Sequence, residues 1–211
     1  MGHSQADKAQ SRERILRAAA DQIRDAGLES ISVGKLMRSV DLTHGGFYNH
    51  FESRAELQAR ALERALVEGR KAWLAAAGPG DTPRSFEDRV RAFFSRGHRD
   101  ARATGCAFAA LAADVARADL PVRAVMSSHL DDFVAKTARS LRAPNDSDAM
   151  LAVSAMVGAL VLARVQVDPK RSEALLRTVR DRVLALDRNE PQPTAVPIPA
   201  PEVAPSRKYP T

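Results

Sequence analysis

The sequence predicts an all-α protein of about nine helices, and three observations carry that reading. Apolar residues recur at helical spacing along most of residues 11–187. Clusters of helix breakers, GPGDTP at 78–83, APNDSD at 143–148 and VDP at 167–169, divide that length into segments. Residues 32–57, SVGKLMRSVDLTHGGFYNHFESRAEL, read as a short helix, a tight turn, a second short helix and the start of a longer one.

Each N-terminal element has its own signal. The first long helix, 11–26, buries Ile15, Leu16, Ala19 and Ile23 and ends at Gly27. Leu28 and Ile31 continue this small core. Ser32 is positioned to cap a helix with the apolar stripe Val33, Leu36, Met37 and Val40. The stripe breaks at Asp41, an Asx-type residue that holds a turn or left-handed conformation without Gly. Thr43 caps the next helix, 43–50, which turns Phe47 inward beside Leu42 and Phe51. Ser53 caps the following one, and Glu56 three residues on completes a capping box. Two short helices joined by a tight turn make a helix-turn-helix, whose second helix enters the DNA major groove. The same periodicity also occurs in helical proteins that bind no DNA.

The later helices follow from the same spacing. Residues 53–77 carry Leu57, Ala61, Leu62, Ala65, Leu66, Trp73 and Leu74. Residues 83–97 begin at Pro83, suited to a first turn, and carry Phe86, Val90, Phe93 and Phe94. After a polar break at 98–106 come helices at 105–117 and 121–141. The most apolar segment, 148–164, is too short for a membrane span and is bounded by Asp148 and Arg164. A helix so apolar must be buried on several faces, which suggests a seam between subunits. A last helix spans 170–187. Seven of the 21 residues from 191 to 211 are Pro, so 189–211 reads as an extended or disordered tail. Residues 1–10 read as a flexible arm.

Composition bounds the function. The chain has 211 residues, enough for one small and one medium helical domain. One cysteine makes no internal disulfide, which fits a reducing compartment. No signal-peptide core and no long apolar run are present, so a cytoplasmic protein without a membrane span is expected. The net charge of +6 suits a nucleic-acid partner, yet residues 1–60 contribute only +1 of it. DNA binding would therefore rest on where charges are placed. No HExxH, CxxC pair, phosphate-binding Gly loop or GxSxG is found, and Asp131 and Asp132, being adjacent, do not share a helical face. No catalytic residue, metal site or cofactor is expected.

The order and spacing of four segments resemble the TetR family of bacterial transcriptional regulators. They are RERILRAAADQI at 12–23 with Gly27 after it, 32–43, HGGFYNHF at 44–51, and ESRAEL at 52–57. The resemblance covers about the first quarter of the chain in detail and the remainder by helix count. It departs at Asp41, where the family has Gly, at Met37, where it has a small Ala, and at His44, where Lys is common. Between the arm at 1–10 and the Pro-rich tail it implies a DNA-binding domain at 11–52 and a ligand-binding and dimerisation domain at 53–188. It further implies a homodimer paired through its last two helices, bound to a near-palindromic operator on double-stranded DNA, and usually a repressor.

Helix-turn-helix docking points Thr43 and His44 at base edges. Gly45 and Gly46 allow close backbone approach at a cost of roughly 1 kcal/mol each in helix propensity. By resemblance, Tyr48 and His50 reach the DNA backbone, with a half-buried core aromatic the alternative for Tyr48. Arg54, near a helix N-terminus, is a phosphate candidate in the same way. Lys35 and Arg38 are further phosphate candidates or simply solvated charges.

The resemblance also implies release of DNA by a small-molecule effector in the second domain. Trp73, Phe86, Phe93, Phe94, Phe108, Met126, His129 and Phe133 are candidate wall residues of an apolar pocket, though ordinary core packing explains each alone. His98 and His129 can add polarity, although satisfied helical histidines are the favoured reading of both. Cys106, in a GC-containing segment seen in one branch of the family, sits at a predicted helix N-terminus that would favour a thiolate, with Arg99 and Arg102 near in sequence. Its modification is a second candidate trigger, and a buried inert thiol is the plain alternative. The competing function is a helical dimeric interaction module with no sequence-specific DNA binding.

Overall fold

In the computed structural model, residues 5–75, 85–102 and 104–188 are described. They form nine α-helices and two 3-10 segments, with no strand among them. The helices are α1 (Gln5–Ala26), α2 (Val33–Ser39), α3 (Arg54–Ala75), α4 (Phe86–Phe93), α5 (Arg96–Asp100), α6 (Ala107–Val115), α7 (Leu120–Ala138), α8 (Asp146–Val165) and α9 (Pro169–Leu186). The 3-10 segments are Leu28–Ser30 and His44–Asn49. The loop at 78–83, Pro83 and the tail at 189–211 lie outside the described residues.

Local chemistry sets the N-terminal unit. The α1 helix already begins at Gln5, so part of the expected arm is helical. It stops at Gly27, whose φ of +86° breaks the right-handed run. Asp41 has φ +58° and is the one non-glycine residue with positive φ among the described residues, so an Asx residue does occupy the left-handed turn position. Ser32 departs from expectation. Its carbonyl, not its hydroxyl, holds the first turn of α2 by accepting Leu36 N–H at 2.9 Å. Thr43 Oγ1 accepts Gly46 N–H at 3.3 Å, as a cap should. Half of the box at Ser53 forms conventionally, with Glu56 N–H donating to Ser53 Oγ at 3.1 Å. The Glu56 carboxylate reaches one residue further back, accepting Glu52 N–H at 2.8 Å.

The segment expected as one helix over 83–97 is two. A reciprocal capping box between Ser85 and Asp88 starts α4. Ser95 Oγ then takes the N–H of His98 at 3.1 Å and starts α5, because a hydroxyl that captures a free N–H opens a new helix.

The core has two parts. The first joins α1, α2, the 3-10 segments and the first half of α3 to α6 and the start of α7, with Ile15, Ile23, Leu36, Phe47, Phe51, Leu62 and Leu111 at its centre. The second joins the end of α3 with α4, α8 and α9 around Trp73, Phe86, Phe93, Met156 and Leu160. Phe108 packs against both. Among the described helices, only α8 is long and apolar enough to cross a membrane, with mean hydropathy 1.8. It is instead an element of the bundle, packed on α5, α6, α7 and α9.

Candidate nucleic-acid interface and ligand cavity

The 3-10 segment His44–Asn49 is anchored from beneath. Phe47 is buried and stacks on Phe51 at 5.6 Å between ring centroids, while Tyr48 meets Phe47 edge-on at 5.3 Å. With Phe47 inward, Thr43, His44, Gly45 and Tyr48 face outward, and Tyr48 is 69% exposed. A Cβ on Gly45 would meet nothing within 4 Å. Lys35 and Arg38 of α2 are exposed nearby in sequence. An open groove of about 510 Å³ runs beside this face, lined by Lys8 and Ser11 of α1 and by Thr43, Gly46 and His50 among others.

Two expected contacts are placed differently. Arg54 turns inward along the protein: Nε donates to Ile31 O at 3.1 Å, and Nη2 to Glu29 O at 3.1 Å and the Glu29 carboxylate at 2.9 Å. Its main engagement is to pin the turn before α2 onto α3. His50 is half-buried. Burial, then Lys8 and Arg12, push its imidazole below the ordinary value. Its carbonyl accepts Arg12 Nη1 at 2.9 Å, and the Arg12 guanidinium lies 4.3 Å from the centre of the Phe51 ring. Arg12 thus fastens α1 to the segment that presents the outward face.

Between α3, α6 and α7 lies a small cavity of about 30 Å³, room for little more than a water. Trp73, Phe108 and Phe133 supply its aromatic wall, with Cys106 and Ala107 beside them. Phe133 is 6.0 Å from Phe108 and 6.2 Å from Trp73 between ring centroids. Its polar residues are Arg70, His129 and Asp132. Arg70 donates to Asp132 at 2.7 Å, and His129 Nε2 to Glu63 at 2.9 Å. Burial pushes the Asp132 carboxyl up, but Lys136 and Arg70 outweigh it and hold the group below the ordinary carboxylate range.

The sequence agrees with this geometry. Residues 15–61 match the family described as bacterial regulatory proteins, tetR family. The matched segment runs from Ile15 in α1 through the helix-turn-helix to Ala61 in α3. Solved structures share the fold at low identity. The reduced form of Escherichia coli NemR is 17% identical, with a TM-score of 0.67 over 82% of this chain and 95% of that one. A TetR transcriptional regulator from Chloroflexus aurantiacus is 20% identical, with a TM-score of 0.67 over 85% and 95%. A TetR-family regulator from Cytophaga hutchinsonii is 16% identical, with a TM-score of 0.69 over 90% and 100%. No curated protein sequence matches. The outward face at Thr43–Tyr48 is therefore that of a TetR-family helix-turn-helix in a DNA-binding regulator.

The helical bundle gathers Trp73, Cys106, Phe108, His129 and Phe133 at one cavity and leaves other candidates outside it. Phe86 is in the second core. Phe93 stands behind Trp73 at 5.6 Å, and Phe94 behind Phe93 at 5.9 Å. Met126 belongs to the first core and does not line the cavity. His98 is buried, with Nδ1 at 2.7 Å from Phe93 O and its ring 4.6 Å from that of Phe93. Burial lowers its pKa to about 4.

Cys106 precedes α6 as expected, but its thiol is fully enclosed, and burial pushes its pKa up despite opposing backbone hydrogen bonds and Arg164. The thiolate expected from the helix terminus is not favoured, because desolvation exceeds the pull of the terminus. Nor do the arginines near in sequence serve it. Arg99 is bound to Asp100 and Ser172, and the cation acting on Cys106 is Arg164 of α8.

Leu66, Arg70 and Trp73 stand at i, i+4 and i+7 on α3; His129, Asp132, Phe133 and Lys136 stand at i, i+3, i+4 and i+7 on α7. That spacing signals a shared face. It identifies Arg70 and Asp132, which the adjacency of Asp131 and Asp132 had obscured.

Proposed function

We propose that this regulator binds a near-palindromic operator as a homodimer, acts as a repressor, and releases DNA when a small apolar molecule enters the cavity beside Trp73, Phe108 and Phe133. The observation that carries the reading is the outward set Thr43, His44, Gly45 and Tyr48, held rigid by buried Phe47 and Phe51 on a family DNA-binding domain. Thr43 and His44 read base edges, Gly45 and Gly46 permit close approach, and Tyr48, His50, Lys35 and Arg38 serve phosphates. Arg54 contributes chiefly by holding the frame. Residues 11–52 act as the DNA-binding domain and 53–188 as the effector and dimer domain.

The dimer reading is supported by α8, which exposes Met150, Leu151, Val161, Leu162 and Val165 along one side. A second copy of α8 and α9 covers such a stripe in a four-helix seam. The effector reading is supported by the cavity's aromatic wall and by the Arg70–Asp132 pair beside it, which must open for a ligand larger than water. Cys106 lines the same cavity, so an electrophile admitted there meets its thiol, in protonated form.

Selection of bound duplexes from a random library with the full chain tests the core of this reading. Recovery of a near-palindrome whose binding weakens steeply with salt supports it. A folded dimer that enriches no sequence at low salt refutes it and leaves an interaction module.

A further inference from the structure

A second cleft, sharing no lining residue with the aromatic cavity, lies where the end of α8 and the start of α9 face the loop after α5. It measures about 160 Å³, room for an oxyanion and several waters. Arg99, Arg102 and Arg164 line it, and Asp100 is the one carboxylate among its lining residues. The rest of the wall includes Gln166 and the buried Ser172, so the site is polar where the other is aromatic.

The charges here are unequally matched. Arg99 is satisfied: its guanidinium clasps Asp100 at 2.6 and 3.0 Å and donates to Ser172 Oγ at 3.3 Å. Arg164 meets only carbonyl dipoles, donating from Nε to Arg99 O at 2.9 Å and from Nη2 to His98 O at 3.2 Å and Ala101 O at 3.4 Å. Arg102 is exposed, and its side chain has no hydrogen bond or ion pair among the described residues. Burial first, with Arg102 adding to it, pushes the Arg164 guanidinium below its ordinary value, against the opposing pull of Cys106 and Asp100. Two guanidiniums without a carboxylate of their own thus converge on one small polar cleft. Guanidinium forks match carboxylate and phosphate oxygens in geometry as well as charge.

We infer that this cleft is a second small-molecule site, which takes a ligand through a carboxylate or phosphate group held by Arg102 and Arg164. The placement gives occupancy a route to the DNA-binding end. Arg164 holds the carbonyls at the end of α5, and the chain continues from there through Gly105 and Cys106 into α6. A Cβ on Gly105 would stand 3.2 Å from Arg164 Nη2 and 2.3 Å from Ala101 O, so Gly105 is closely packed between them. An oxyanion that recruits Arg164 competes with those carbonyls and alters the hold on α6.

The site is independent of the operator and apolar-effector readings, and its test needs no DNA. Inorganic phosphate and citrate are titrated separately into the full chain by calorimetry, with sodium chloride at matched ionic strength as background. One saturable event per chain is expected with at least one probe, and the tighter of the two identifies the preferred group. Arg102→Glu weakens it by roughly tenfold or more, whereas Arg123→Glu, an exposed cation on α7, leaves it unchanged. Melting curves in plain buffer confirm that both variants fold, and Arg102→Gln replaces the charge reversal if that one does not. Equal binding by wild type and the Arg102 variant, or no binding above the chloride background with either probe, overturns the inference.

Discussion

Asp114 Oδ2 accepts the backbone N–H of Leu28 at 2.9 Å and so ties α6 to the turn that follows α1. The same oxygen would lie 2.6 Å from a Cβ on Gly27, the residue with φ +86°. Position 27 therefore needs glycine for two reasons, one conformational and one steric. That pair adds a polar tie to the apolar packing of α6 on α1 and α3.

Gly27→Ala is expected to destabilise the chain by about 1–3 kcal/mol. Asp114→Ala removes the acceptor for Leu28 N–H at about 1 kcal/mol. Together they cost less than the sum, because removing the carboxylate also removes the clash. Urea unfolding of the two single variants and the double variant measures this, and strict additivity would contradict the shared contact.

Arg54 and the α2 cations separate fold from recognition. Arg54→Lys cannot span Ile31 O and both Glu29 acceptors, so it lowers stability by about 1–2 kcal/mol. Lys35→Gln and Arg38→Gln leave stability within about 0.5 kcal/mol, as exposed sites do. If each touches a phosphate, each reduces the salt slope of operator binding by about one. An unchanged slope assigns that residue to the solvated surface.

Gly45→Ala isolates the DNA face. The added methyl meets no protein atom, so the melting temperature should hold or rise slightly. Operator affinity should fall by roughly tenfold if backbone and DNA approach closely there. Wild-type affinity in the variant would show that the glycine serves the turn alone.

His98 makes stability depend on pH. Its pKa falls from 6.5 to about 4 on burial, so below pH 6.5 the unfolded chain takes up the proton first. Stability from this residue is full above 6.5 and is lost progressively as pH falls toward 4, to a total of about 3 kcal/mol. His98→Gln flattens that part of the profile in acid unfolding. A profile of unchanged slope would place the dependence on other groups.

The helix-turn-helix was legible because its signals are local. Asp41 occupies the left-handed turn, Thr43 caps its segment and Phe47 turns inward, and each outcome depends on neighbours a few residues away. The break between α4 and α5 was also local, written in Ser95, but it was masked by an apolar pattern that continues through Phe93 and Phe94. The aromatic wall was legible as composition and only partly as geometry, since Phe86 and Met126 share its apolar chemistry and do not line the cavity.

The sequence by itself determined the all-α class, the order of the elements and the outward turn of Thr43, His44, Gly45 and Tyr48, because helix periodicity, caps and turn residues act within a few positions of one another. Tertiary structure alone decided where charges and polar groups end. It bent Arg54 onto carbonyls 23 and 25 residues away and brought Arg70 to Asp132 across 62 residues. It set Arg164 rather than Arg99 or Arg102 to act on Cys106. It also enclosed that thiol so that burial outweighs the helix terminus. Long side chains take their partners from space, and the cost of desolvation exists only once the chain has closed around them.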